Sequence, residues 1–319
     1  MFSHPDIIQI LNESYIPVAD NCSYTQTQKD AKGEFFRRVA EQGHYGGRIE
    51  PTATRQGLYA CTSNGELLGS INTRDAAPLL EVLEQSLERW RERSDTGESP
   101  DIPESYPVDP RLGWSYPENG LTLKVTVRDL PRDSNGVDSR HNIDFAWFTE
   151  VESRALVPDD IRPGQTWRAP GFFTKRLALR HFIDTVRGQS PGWREENLKD
   201  GEINLTVESV ESDLIRIRME GRIHLEAEPT FESNPFSGLT VDKPRGLKLD
   251  LYGRLAFDPR QRRVEAFDAV ATGDRWGFTT YNVRFDDPGP APIGFAFELG
   301  SDNPIERTPP ASIGRNYFD

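Results

Sequence analysis

Two stretches of this chain alternate apolar and polar residues over unusually long runs. In the first, Ile215, Ile217, Met219, Gly221, Ile223 and Leu225 fall on one face. In the second, Leu247, Leu249, Leu251, Gly253, Leu255 and Phe257 do the same. A period of two is the geometry of a β-strand, whose successive side chains point to opposite faces. Each run also carries Gly-Arg near its middle, Gly221-Arg222 and Gly253-Arg254. A glycine on the apolar face of a strand marks a bend, a bulge or a close approach of another backbone. Long strands of this kind suit a coiled antiparallel sheet or a partly closed barrel. The shared Gly-Arg is too short to establish a duplication.

Further runs have the same period. Leu121, Leu123, Val125 and Val127 alternate with Thr122, Lys124, Thr126 and Arg128; Ile143, Phe145 and Trp147 alternate, as do Ile203, Leu205 and Val207. Strand character continues over 264–271, around Trp276 to Phe285, and over 294–299. One helix interrupts them, with Phe172, Leu179, Phe182, Ile183 and Val186 as its apolar stripe and Lys175, Arg176, Arg180 and Arg187 opposite. Residues 301–319 read as an extended, surface-hugging tail. Residues 119–319 are therefore expected to form an antiparallel β domain, a β-sandwich or an open β-barrel, with one packed helix. Before it, residues 93–118 form a proline-rich linker containing Pro100, Pro103, Pro107, Pro110 and Pro117.

Residues 1–92 alternate helix and strand. Ile7, Ile8, Ile10 and Leu11 form a helical stripe behind Pro5. Tyr15 to Ala19 reads as a short strand and residues 25–41 as a helix with Phe35, Phe36 and Val39 on one face. Asn64-Gly65 between two apolar runs signals a hairpin over residues 57–71. A helix follows, capped by Asp75, with Leu79, Leu80, Leu83, Leu87 and Trp90 on one face.

The order of these elements over residues 4–90 resembles a thioredoxin-like domain read from its middle. His4 to Asn12 is similar to the end of that family's first core helix, Tyr15 to Asp20 to the strand after it, Gly57 to Ile71 to the terminal hairpin, and Asp75 to Trp90 to the last helix. The resemblance implies a central strand and a Cys-x-x-Cys ahead of the first of these helices, where a helix N-terminus lowers a thiol pKa. Neither occurs, and Gly57 stands where the family carries a cis-proline. The implied domain is truncated and redox-inactive as written. The missing strand is supplied upstream of Met1, lent by the C-terminal region, or absent from a rearranged fold. The upstream start is the favoured reading.

Composition narrows the function classes. The net charge of −13 and pI near 5.0 disfavour a phosphate backbone as partner. No apolar run is long enough for a membrane span. The first residues lack a signal peptide, so the chain as written is expected in the cytoplasm. Cys22 and Cys61 permit one bridge at most. Cys22, near a strand-to-helix junction, is the candidate redox thiol; Cys61 reads as a core residue. The five histidines show no metal-ligand spacing, and no motif implies a cofactor. His181 and Asp184 stand three apart on the expected helix, a spacing that can orient an imidazole, and Asp144, Glu150 and Glu152 are nearby carboxylates. The densest mixture of aromatic and polar residues is Gly273 to Asn282. There Asp274, Arg275, Trp276 and Tyr281 are the candidate ligand-binding residues of a barrel mouth. The expected function is binding of a small molecule or a protein partner by the β domain. The alternative is thiol-disulfide oxidoreduction, through a motif upstream of Met1 or through Cys22.

Overall fold

The structure is a computed structural model. It describes residues 1–20, 22–26, 30–44, 55–96, 116–132, 140–211, 213–233, 240–279, 282, 284–301, 303–307, 309–311 and 317–318. The chain divides into two compact units, Met1–Ser115 and Tyr116–Asp319. Most of the expected linker, residues 97–115, lies outside the described residues.

The first unit contains α1 (Pro5–Ser14), α2 (Cys22–Thr25), α3 (Ala31–Glu41), the strands β1 (Leu58–Cys61) and β2 (Leu67–Ile71), and α4 (Ala76–Thr96). Asp30 caps α3 by accepting a 3.0 Å bond from the Gly33 N–H. The hairpin forms where Asn64-Gly65 signals it. Its loop spans residues 62–66, and Gly65 takes φ +87°, the left-handed conformation that a glycine adopts without strain. Ile7, Leu79 and Leu83 are the buried centre, with Tyr15, Leu58 and Ile71 packed around them.

Two expectations are corrected here. Residues 15–20 are not a strand: the unit's sheet contains only β1 and β2 among the described residues, so this segment has no ladder partner. Tyr15 anchors it by donating to the Leu83 carbonyl at 2.7 Å, and Ile16 and Val18 are 92% and 81% exposed. Trp90, placed on the apolar face of α4 by its spacing, is 49% exposed, because it lies beyond the last turn that meets the small core.

The second unit is built on β3 (Leu121–Asp129), β4 (His141–Phe148), β5 (Thr166–Arg168), β6 (Leu198–Val210), β7 (Ile215–Ser233), β8 (Thr240–Asp258), β9 (Arg263–Trp276) and β10 (Ala291–Leu299). They form one antiparallel sheet in the order β4-β3-β10-β9-β8-β7-β6-β5. Strands β5 to β10 are thus a continuous meander, and β10 returns the chain to the β3–β4 hairpin. The long period-two runs lie opposite each other in β7 and β8, with Met219 against Gly253 and Gly221 against Leu251. The ladder runs unbroken through both glycines. Each marks a close approach: a Cβ on Gly221 would sit 2.4 Å from the Glu202 carbonyl oxygen, and one on Gly253 would sit 2.5 Å from the Ala269 Cβ.

The apolar face of β3, β4 and β6–β10 encloses one core with two short helical segments. α5 (Glu150–Ala155) begins at a reciprocal cap, Thr149 with Glu152. α6 (Gly171–Arg176) runs into a turn of π-helix, Leu177–His181. The single packed helix expected over 172–187 is therefore shorter and has a companion. Phe182 leaves helical geometry, and Ile183 and Val186 reach the core from irregular backbone. Arg176 does not face water as expected but is buried. The described residues from Gly277 to Phe285, expected as strand, lie outside any strand, between β9 and β10.

Phe182 is wholly buried and meets Phe295 and Phe297 edge-on at 5.2 and 5.5 Å. Phe182→Ala is expected to cost about 3–5 kcal/mol, read as a lower urea midpoint.

Candidate functional site

Alternation along β9 separates residues that are neighbours in sequence. Arg275 points into the buried side of the sheet, whereas Asp274 and Trp276 lie on the other face, Asp274 exposed and Trp276 half-buried. The fourth candidate, Tyr281, lies outside the described residues.

On the buried side the β9–β10 loop is held by charge. Arg284 is fully buried. Its Nη2 donates to Asp129 Oδ1 at 2.7 Å and to Asp184 Oδ1 at 2.8 Å, its Nη1 to Asp129 Oδ2 at 3.0 Å, and its Nε to the Asp184 carboxylate. Arg275 donates to the Asp287 carbonyl at 2.6 Å and pairs with the Asp287 carboxylate. Asp287 also accepts from Arg132 at 2.6 Å and Arg187 at 3.1 Å. Four guanidinium groups therefore interlock with three carboxylates drawn from the end of β3, the chain after the π turn, β9 and the loop. Thr279 and Asn282 close the loop further, each backbone N–H donating to the other's side chain, at 2.9 and 3.3 Å.

The titration of these groups follows from competition between burial and pairing. Burial by itself raises the Asp287 carboxyl, but bonds from Arg132 and the charge of Arg275 outweigh it and hold the group below its ordinary value. Burial by itself lowers Arg284, and the bonds to Asp129 and Asp184 reverse that and raise it. Arg275 is lowered, first by burial and then by the adjacent Arg284 charge.

This lattice supports the floor of an open groove of about 390 Å³ lined by Pro244, Trp276, Gly277, Pro288, Gly289 and Pro290. Gly277 and Gly289 both take φ +79°, and a Cβ at either would strike a backbone carbonyl, that of Pro244 at 2.4 Å or Arg275 at 2.6 Å. The Gly277 N–H donates to the Pro288 carbonyl at 2.6 Å, which fixes the groove's width. The Trp276 indole lies over Gly246, where any Cβ would meet its ring, and His224 sits 6.2 Å from it centroid to centroid. Beyond the rim, Arg245 stacks 3.9 Å from the Trp193 ring centroid.

The other sequence candidates are dispersed. His181 and Asp184 do not pair. His181 Nδ1 is 3.0 Å from Asp144 and Nε2 is 2.7 Å from the Tyr317 hydroxyl, while Asp184 belongs to the Arg284 lattice. The helix ends at His181, so Asp184 lies on irregular backbone and the helical spacing on which the pairing rested is absent. Glu150 sits on α5 rather than on a strand beside Asp144, and Glu152 holds Arg176 through two bonds of 2.6 and 2.7 Å. Cys22 is half-buried with its Sγ 3.8 Å from Gln26 Oε1. Burial raises the Cys61 thiol. Both cysteines are free thiols, with no bridge between them. Among the described residues no three His, Cys, Asp or Glu side chains gather as a metal site, and no helix is long and apolar enough to cross a membrane.

Arg284, Asp129, Asp287, Pro288 and Pro290 were not singled out by sequence reasoning. The run Asp286-Asp287-Pro288-Gly289-Pro290 signals a turn, but nothing local announces that its arginine neighbour is buried. Comparison with protein-family models, curated proteins and solved structures found no match for this chain.

Arg284→Met is expected to cost about 3–5 kcal/mol, because it leaves the buried Asp184 without its cation and Asp129 with only the longer 3.7 Å contact to Arg187; urea unfolding at neutral pH measures this. Asp287 has a depressed folded pKa. Its contribution is therefore complete at neutral pH and is lost as pH falls from about 4 through the folded value. Asp287→Asn should be less stable at pH 7 and show a flatter decline below pH 4. The Cys61 thiol should alkylate more slowly than free cysteine at pH 7.5, with Cys61→Ser identifying its share of the reaction.

Proposed function

We propose that the second unit is a ligand-binding module and that the groove beside Trp276 takes a neutral, hydroxyl-bearing ring compound of the size of a small sugar. The observation that carries this reading is the groove's chemistry. An aromatic face is combined with three prolines, and among the described residues no charged side chain lines it. Proline has no N–H, and the Gly277 N–H is already engaged by the Pro288 carbonyl, so the walls are poor in backbone donors. A ligand that supplies hydroxyl donors and an apolar ring face complements them. The volume falls within the ordinary range for small-molecule sites, and the ionic lattice pre-organises the walls.

Among the described residues the sheet's two ends are unpaired and its core is single, which favours an open barrel as the description of this unit, with the groove at one mouth. For the first unit we retain the proposal of a thioredoxin-like arrangement. α1, the β1–β2 hairpin and α4 follow in the order that resemblance implies, although residues 15–20 do not form the strand it calls for, and the unit is redox-inactive as written.

Titration calorimetry with a panel of neutral mono- and disaccharides, and in parallel with planar aromatic heterocycles, tests the groove. Trp276→Ala should weaken the sugar that binds by about 30-fold, the loss of a hot-spot aromatic of about 2 kcal/mol, and Trp276→Phe should retain most of the affinity. Binding that is indifferent to Trp276→Ala, or confined to the aromatic compounds, overturns the reading.

A further inference from the structure

Arg275 is only 1% exposed, and two of its three nitrogens are committed. Nη1 donates to the Asp287 carbonyl at 2.6 Å and Nη2 to the Asp287 carboxylate. Its Nε is buried and has no hydrogen-bond partner among the described residues. A buried donor on a charged group is costly to leave without an acceptor, so this position calls for an oxygen. The guanidinium also abuts the wall of the groove: a Cβ built on Gly289 would lie 3.2 Å from Arg275 Nη1.

Arg275 lines a narrow cleft of about 10 Å³, a space distinct from the groove but sharing Trp276 and Gly277 with it. Trp276 is the last residue of β9, so the two spaces adjoin where that strand ends. The other polar side chains on the cleft's walls have partners within the protein. Trp193 Nε1 donates to the Phe182 carbonyl at 2.7 Å, Ser190 Oγ to the Asp184 carbonyl at 2.6 Å, and Arg245 Nη1 to the Pro191 carbonyl at 3.1 Å. Asn282 Oδ1 accepts from the Thr279 N–H at 2.9 Å, and the Asp184 carboxylate is held by Arg284. The Arg275 Nε–H is the donor left to be matched. The cleft has room for a single water-sized group, which excludes a carboxylate or a phosphate. An anionic oxygen would in addition be set against Asp184, which lines the same walls. A hydroxyl suits both: its oxygen accepts from the guanidinium and its proton can be given to the carboxylate.

We propose that this cleft is a subsite of the groove and takes one ligand hydroxyl carried clear of the ring on an extra carbon, as in the exocyclic hydroxymethyl group of a hexopyranose. The inference rests on the reading of the groove as a sugar site and narrows it to hexoses that keep this arm. Titration calorimetry on the intact chain compares each hexose that binds with its 6-deoxy counterpart, in which a methyl group replaces the hydroxymethyl. The hexose should bind about 10-fold or more tightly, the ordinary worth of a hydrogen bond to a charged group. Arg275→Lys keeps a cation for Asp287 but has no Nε–H, and it should erase that preference. Binding that is lost in Trp276→Ala yet equal for the hexose and its 6-deoxy counterpart overturns this inference and leaves the groove standing. So does a folded Arg275→Lys protein that keeps the full preference. If Arg275→Lys does not fold, the comparison of ligands on the intact chain decides. Absence of binding by any saccharide overturns both readings.

Discussion

The grip of Arg284 on Asp129 and Asp184 is the contact on which the candidate site depends. It joins three places far apart in sequence: the end of β3, the irregular chain after the π turn, and the β9–β10 loop. With the bonds from Arg275, Arg132 and Arg187 to Asp287 and from the Gly277 N–H to the Pro288 carbonyl, it folds the loop back over the end of β9 and brings Pro288 and Pro290 beside Trp276. Buried ion pairs are poor sources of net stability, because removing charges from water offsets much of their attraction. Their use here is geometric. A planar guanidinium that donates to two carboxylates at once tolerates few arrangements, so the loop is held in one position.

The sheet provides the frame in which that grip is possible. Its meander keeps β5 to β10 in sequential contact, and the twist of long strands brings their apolar faces around one core. The glycines in β7 and β8 belong to this frame because backbone and side chains of the neighbouring strands pass too close for a Cβ. The irregular helical segment fills the enclosed side with Phe173, Phe182 and Ile183, and its π turn aims His181 away from the helix axis of α6 toward β4.

Period-two alternation made the large sheet legible, because the same physics that buries one face of a strand writes that pattern locally. It located β3, β4, β6, β7, β8, β9 and β10 and assigned most of their faces. It was less able to mark where a strand stops, so the β9–β10 loop was read as strand. Asn64-Gly65 similarly exposed the hairpin. Tyr15 to Ala19 has the composition of a strand, yet pairing needs a neighbour, and composition carries no information about one. Arg176 and Arg284 look like solvated charges until their partners are known. Those partners lie elsewhere in the sequence, Glu152 for the first and Asp129 and Asp184 for the second, and ionic pairing at that distance leaves no periodic trace. The His181–Asp184 spacing failed for a different reason: the helical segment ends at His181, so Asp184 falls on irregular backbone and points to Arg284 instead.

The position of β10 also has a consequence for synthesis. This strand, the last of the eight in sequence, lies between β9 and β3, so the β3–β4 hairpin waits unpaired on its inner edge while β5 to β9 are made. Asp129, at the end of β3, waits as well, since Arg284 comes only just before β10. Sheet closure and charge compensation are therefore completed together, late, by the same short stretch of polypeptide. A nascent chain interrupted before that stretch would present an open strand edge, with Asp184 unpaired and Asp129 held only by the longer contact to Arg187, at one end of an otherwise assembled core. That is the kind of species that associates wrongly and that a cell must shield.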